Sequence, residues 1–199
     1  LSRRQRHPPR TQVVTSDLSI EIETPRLLLR VPRQEDFDGF CALMADEEAA
    51  RHIGGVQPRA SVWRSMASLA GSWALLGFGM FSMIEKSTSQ WVGRTGPWRP
   101  AEWPGSEVGW GVLRAHWGKG YALEATIASM DFAVDRLGWT DIIHTISPDN
   151  ANSQRLAERI GSHNRGKGAL PAPFADIPVD IWGQTAAEWR ANARRLKSA

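Results

Sequence analysis

Apolar positions are sparse before residue 19 and become patterned from Ile20 onward. The run Arg26-Leu27-Leu28-Leu29-Arg30-Val31, bounded by Pro25 and Pro32, predicts a strand. Over residues 34–45, Phe37, Phe40, Cys41 and Met44 recur at three- and four-residue spacing and predict a helix. Residues 47–52 predict a second short helix, stopped by Gly54-Gly55. Residues 61–76 predict a third, with Val62, Met66, Leu69 and Trp73 on one face. Strands are predicted at 78–84, 91–96 and 107–113, with the proline-rich stretch 97–105 as a loop. A helix at 121–137 ends at Gly138, an uncharged strand follows at 142–146, and a short helix at 152–160 closes on Gly161. A last strand at 179–182 and a polar helix at 186–196 complete the chain. This order predicts an α/β (α+β) domain: a mixed sheet with helices on its faces, without the regular alternation of a doubly wound dinucleotide fold.

Composition narrows the class. With 199 residues, 42% hydrophobic and 23% charged, the chain reads as one globular domain over residues 19–199, preceded by a flexible basic arm at 1–18. No apolar run reaches bilayer length and no signal-peptide pattern opens the sequence, so no membrane partner is expected. A single cysteine, Cys41, cannot form an internal disulfide, which points to a reducing cytoplasm. The basic pI of about 9.5 invites a nucleic-acid reading. Eight of the 24 basic residues, however, stand at the two ends: Arg3, Arg4, Arg6, Arg10, Arg190, Arg194, Arg195 and Lys197. The 16 that remain face 21 acids, a formal charge near −5, so no nucleic-acid groove is expected on the folded body.

Chemistry concentrates at His116-Trp117-Gly118-Lys119-Gly120-Tyr121-Ala122, between a predicted strand and a long helix. Free amides at a helix start, with the positive end of the helix dipole, form an anion site, and glycines let the backbone approach it. Gly120 is followed by Tyr121 where a P-loop needs a Lys-Ser/Thr pair, and the third glycine of a Rossmann fingerprint is missing. The loop alone also fits a plain glycine turn. A second cluster, Pro148-Asp149-Asn150-Ala151-Asn152-Ser153, opens the next helix. Asn150 suits a helix cap, and with Ser153 it also suits a ligand contact beside the glycine-loop strand.

Together these segments resemble the GNAT acetyltransferases, and within them the branch of ribosomal-protein N-terminal acetyltransferases (RimJ/RimL-like). The resemblance rests on Thr24-Pro25-Arg26-Leu27-Leu28-Leu29-Arg30, on Glu107 through Trp110 leading into Trp117 through Ala125, on Asn150 through Gly161, and on Val179 through Trp182. It implies a GNAT fold: a mostly antiparallel central sheet with one splayed strand pair and helices on both faces. It implies acetyl-CoA as cofactor, with Trp117, Gly118, Lys119, Gly120, Tyr121 and Ala122 around the pyrophosphate. Val112, Leu113 and Arg114 would run along the pantetheine arm, and Asn150 and Ser153 would contact the coenzyme. The thioester would lie where strands 107–113 and 142–146 part.

The implied reaction is attack of a primary amine, from a protein N-terminus or a small molecule, on the thioester. It requires a base, a polarised carbonyl and a stabilised thiolate. Glu107 is the candidate base, directly or through water, which needs a pKa raised by burial. The same carboxylate also fits a salt-bridging or substrate-orienting role. An amide of Val112 or Leu113 is the candidate oxyanion donor. The helix after Asn150 lacks the tyrosine acid of many relatives, and Tyr121 is the only tyrosine, so Ser153 or water becomes the candidate acid. His144, among isoleucines, reads as a hydrogen-bonded core histidine bordering the cleft. Trp98 and Trp103 suit either a cover over the acceptor site or simple packing of their loop. No metal-ligand spacing is present. An acyl-CoA-binding domain without turnover is the alternative reading. The acceptor does not follow from the sequence, nor does the oligomeric state, and a homodimer is left open.

Overall fold

The computed structural model describes residues 18–197, so the expected basic arm lies outside the described residues except for Leu18. Eight strands form one sheet: β1 (Glu21–Glu23), β2 (Leu27–Arg30), β3 (Phe81–Glu85), β4 (Gln90–Trp98), β5 (Glu107–Val112), β6 (Asp141–Ile146), β7 (His163–Gly168) and β8 (Val179–Thr185). Their order is β1-β2-β3-β4-β5-β6-β8-β7. Every neighbouring pair is antiparallel except β5 and β6, which are parallel. The helices are α1 (Phe37–Ala45), α2 (Glu47–Ala50), α3 (Arg59–Leu76), α4 (Tyr121–Asp131), α5 (Ala151–Arg159) and α6 (Ala186–Lys197). The mixed, mostly antiparallel sheet expected from the sequence is therefore present.

Strand alternation divides the apolar residues between two faces. On one face Phe40, Leu43, Val62, Met66 and Leu69 of α1 and α3 pack with Met80. On the other, Leu29, Phe81 and Val92 meet Tyr121 and Ala125 of α4, with Phe132 just beyond. Val108, Met130, Ile142 and Trp189 continue that second layer toward α6. Thr95 touches Ser129 of α4 at 3.4 Å, so its neighbour Arg94 points to the face of α1.

Besides β1, an edge strand added beside β2, three elements differ from the sequence pattern, each for a physical reason. β4 runs to Trp98, into the expected loop. The bond from Leu113 N–H to the Val92 carbonyl sets the phase, so Pro97 turns its ring nitrogen away from β5. On that side β3 begins only at Phe81, opposite Thr95, and the missing N–H of Pro97 faces no ladder partner. β7 has no apolar alternation at all; its polar, exposed residues are held by β8 and form a charged sheet edge. The long fourth helix changes pitch, ending in a π turn over Phe132–Arg136 in which Leu137 N–H reaches the Phe132 carbonyl.

The start of α1 is fixed from within. Arg30 and Asp36, 5% and 2% exposed, form a two-pronged ion pair at 2.8 and 2.7 Å. Ser82 O–H and the Arg33 amide donate to the same carboxylate at 2.7 and 2.8 Å. Asp36→Ala would leave the buried Arg30 guanidinium with only the exposed Glu35 carboxylate, at 3.1 Å, in place of its two-pronged partner. A loss of about 3–5 kcal/mol in urea unfolding is expected; a loss below about 1 kcal/mol, the range of exposed pairs, contradicts this account.

Candidate active site

The parallel pair at the sheet centre is barely a pair. β5 and β6 share one register position, Glu107 opposite Ile143, with Ile143 N–H bonded to the Ser106 carbonyl at 2.9 Å. Beyond it the strands part. Two side chains bind the base of this fork. His144 of β6 donates from Nδ1 to the Val108 carbonyl at 2.7 Å. Glu107 of β5 accepts from the Thr145 amide at 3.2 Å and from its hydroxyl at 3.1 Å.

A carbonyl can only accept, so the Nδ1 of His144 carries the proton and Nε2 accepts from Ser162 at 3.0 Å. Gln184 donates to Ser162 in turn at 3.0 Å. Burial pushes the His144 pKa down to about 4, so the ring is neutral. It is the hydrogen-bonded core histidine that the sequence suggested.

Farther along the fork, β5 keeps an open edge. Because Leu113 N–H is committed to Val92 at 3.0 Å, the alternation turns the amides of Trp110 and Val112 toward β6, which has already departed. Of the two candidate oxyanion amides, Val112 thus faces the fork and Leu113 does not. The Val112 carbonyl accepts from the Trp117 indole at 2.8 Å, folding the glycine loop back on its strand. Arg114 leaves the strand; its guanidinium pairs with Asp46 and Glu48 at 2.8 and 3.4 Å.

At the end of that edge stands the glycine loop. Gly118 and Gly120 have φ of +74° and +80°, a region that L side chains rarely adopt. A Cβ on Gly118 would meet nothing within 4 Å. No side chain caps α4, so its first amides keep no side-chain acceptor. Ala122 keeps the first turn small, and Lys119 reaches back to His116 at 3.3 Å. Tyr121 turns away from the fork; its hydroxyl donates to Glu85, and it cannot serve there as an acid.

Two further candidates flank the fork on α5. Asn150 caps that helix, accepting from the Ser153 amide at 3.1 Å. The Ser153 hydroxyl accepts from the Trp110 indole at 3.2 Å, which leaves its own proton free to donate. On the opposite face of the sheet a cavity of about 1030 Å³ reaches the fork. Glu107, Arg94, Trp98, Trp103, Asn150 and Ser153 all line it. Trp103 donates to Glu107 and Trp98 stands edge-on to Trp103 at 6.4 Å, so both tryptophans wall the cavity beside the carboxylate. Burial raises the Glu107 pKa to about 7, against the opposing pull of Trp103, Thr145 and the Arg94 charge.

Sequence reasoning missed the brace behind the glycine loop. Arg26 donates from Nε to Glu124 at 2.7 Å and from Nη1 to the Lys119 carbonyl at 2.8 Å, and stacks over Tyr121 at 4.7 Å. Thr24 adds a bond to Glu124 at 2.6 Å. The signal is local at both ends: Thr24-Pro25-Arg26 leads into a strand, and Glu124 stands in the first turn of the helix after the glycine loop.

The sequence profile of the acetyltransferase (GNAT) domain family matches residues 26–163. An uncharacterized N-acetyltransferase, p20, of Bacillus licheniformis is 30% identical over 147 residues, 72% of this chain and 82% of that relative. The crystal structure of an acetyltransferase from Agrobacterium tumefaciens str. C58 superposes with a TM-score of 0.74 at 26% identity, over 90% of this chain and 99% of that one. The ribosomal-protein-S5-alanine acetyltransferase of Vibrio fischeri shares the fold at 15% identity, with a TM-score of 0.64 over 85% of this chain and 98% of that one.

The Trp103 indole favours the ionised form of Glu107. Trp103→Phe should therefore raise the Glu107 pKa above its value of about 7, read from the carboxyl carbon shift in an NMR titration. A pKa that stays in place or falls contradicts the assigned contact.

Proposed function

The chain belongs to the GNAT acetyltransferase family, and from that premise we propose that it is an acetyl-CoA-dependent N-acetyltransferase acting directly on a primary amine. The observation that carries this reading is the continuity of three features. An open strand edge at Trp110 and Val112 runs into an uncapped glycine loop, and a buried carboxylate stands at the base of the same fork.

The residues suit the coenzyme. Gly118 and Gly120 leave room for a pyrophosphate against the amides of Lys119, Tyr121 and Ala122, with Trp117 at the loop's entrance. Val112, Leu113 and Arg114 lead from the open edge toward the glycine loop, the path a pantetheine arm would take, and Asn150 and Ser153 line the cavity at the same fork. Acetyl-CoA supplies an activated acyl group on a thiol leaving group.

Everything else falls to side chains and amides of the chain. Glu107, with a pKa of about 7, takes a proton from the incoming ammonium directly or through one water. The Val112 amide donates to the developing oxyanion. Ser153, fixed by Trp110, donates its proton toward the leaving sulfur. Trp98 and Trp103 keep water from the carboxylate.

Residues 19–199 form one catalytic domain in this proposal. The single cysteine, buried Cys41, fits a reducing compartment such as the cytoplasm. No helix among the described residues is long and apolar enough to cross a membrane. Within the family, the four matched segments favour the ribosomal-protein N-terminal acetyltransferase-like branch, a placement that leaves the acceptor open.

Thiol release from acetyl-CoA over a panel of amines and peptides tests the reading. Transfer to at least one amine is expected; coenzyme binding without release on any of them would favour the silent acyl-CoA-binding alternative. With the best acceptor, kcat/KM should rise with pH through about 7 as Glu107 ionises. Glu107→Gln should lower kcat by roughly 10²–10⁴-fold and move coenzyme affinity far less. Equal turnover would retire Glu107 as the base.

A further inference from the structure

One half-buried cation of the cavity wall has no ionic partner among the described residues. Arg94 stands on β4, half-buried, and lines the same cavity as Glu107. Among the described residues it forms no ion pair, and its one hydrogen bond runs from Nη1 to the Met80 thioether at 3.6 Å. A guanidinium carries five donors, and a thioether is a weak acceptor. Burial lowers the Arg94 pKa, with the Glu107 charge acting against that shift. The other basic side chains of the cavity differ. Arg51 and His52 are held by Asp149 at 3.2 and 3.6 Å, and Arg64 is exposed at the rim, bonded to Ser61.

On β5 only glycines and residues that alternate to the other face stand between Arg94 and Glu107, and the Met80 side chain is laid over Gly109. In register, Arg94 lies opposite Gly111 and Trp98 lies opposite Glu107, so the two side chains start four positions apart, about 13 Å along the sheet. Both side chains pass over glycines of β5, and Glu107 leans toward the Arg94 end. The Arg94 stem passes 3.8 Å from where a Gly111 Cβ would sit, and a Glu107 carboxyl oxygen comes within 3.4 Å of a Cβ at Gly109. A Cβ at Gly109 would also meet the Met80 methyl at 2.6 Å, and that same methionine's sulfur receives Arg94. A cation and an acid thus face one pocket from its two ends without pairing. Desolvating an unpaired guanidinium is costly, and a ligand anion would relieve that cost.

We propose that the acceptor carries a carboxylate close to its amine, in the manner of a free amino acid, with the carboxylate on Arg94 and the amine at Glu107. This rests on the acetyl-transfer reading above and deepens it. The occupant matches the site charge for charge: an ammonium at the acid that will take its proton, and an anion at the guanidinium that lacks one. A peptide N-terminus has no carboxylate at that spacing unless an acidic side chain supplies one, and a polyamine would set a second cation against Arg94.

The test compares L-amino acids with their carboxamides in two ways: thiol release with acetyl-CoA, and calorimetric binding to the protein loaded with coenzyme A. The free acids should be preferred at least about tenfold, the size of one charge-assisted hydrogen bond. Arg94→Gln should collapse that preference to within about twofold, mainly through the KM of the acids, and Arg94→Lys should restore part of it. A merely structural arginine would lose thermal stability on replacement, whereas Arg94→Met should unfold at an equal or higher temperature. Carboxamides used or bound as well as the acids overturn the proposal, as does an Arg94→Gln enzyme that loses kcat equally on both. Preferential binding of acids with no turnover would support this inference while sinking the acetyl-transfer reading. Turnover without preference would do the reverse.

Discussion

The departure of β6 from β5 after one shared register position governs this molecule. A parallel pair normally satisfies its amides along the whole ladder. Here the ladder stops, and the protein must either satisfy the exposed edge or leave it for a ligand. It does both. At the base, His144 and Glu107 each cross to the other strand and bond its backbone. Farther out, the amides of Trp110 and Val112 face the gap with no strand opposite them.

That one divergence ties the site together. The neutral His144, backed by Ser162 and Gln184, holds the base of the fork without adding charge to it. Glu107 is buried because it doubles as a stitch between strands, and that burial gives it a pKa near neutrality. A structural demand therefore gives the proposed base its pKa. The glycine loop continues β5 directly and is braced from behind by Arg26 and Glu124, so the strand edge and the helix start form one surface. The cavity opens on the opposite face, beneath α1 and α3, where Arg94 and the tryptophans of the β4–β5 connection give it charge and walls.

Local chemistry was legible in the sequence, and long-range pairing was not. The apolar periodicity of α1 and α3, the glycines that bound α4, and the uncharged core of β6 could be read from neighbouring residues. So could the strand that carries Glu107, whose alternation sets it on one face with Gly109 and Gly111. β7 could not, since His163–Gly168 has no pattern of its own and becomes a strand only because β8 offers an edge. The end of β4 was hidden by Pro97, whose missing donor matters only if β3 extends that far. The Arg26–Glu124 brace spans 98 positions and the Glu107–Thr145 bond 38, separations that no local spacing reveals. The same limit hid Arg94: a lone arginine in a strand looks solvated until the partners around it are known to be absent.

The central claim is that the open edge of β5 and the start of α4 together receive acetyl-CoA. Backbone amide NMR with added acetyl-CoA measures this most directly. The amides of Trp110, Val112 and residues 118–122 are expected to shift together and saturate with one affinity, while Leu113, already bonded to Val92, moves less. Saturation elsewhere on the protein, with the fork and the glycine loop unmoved, would contradict the account.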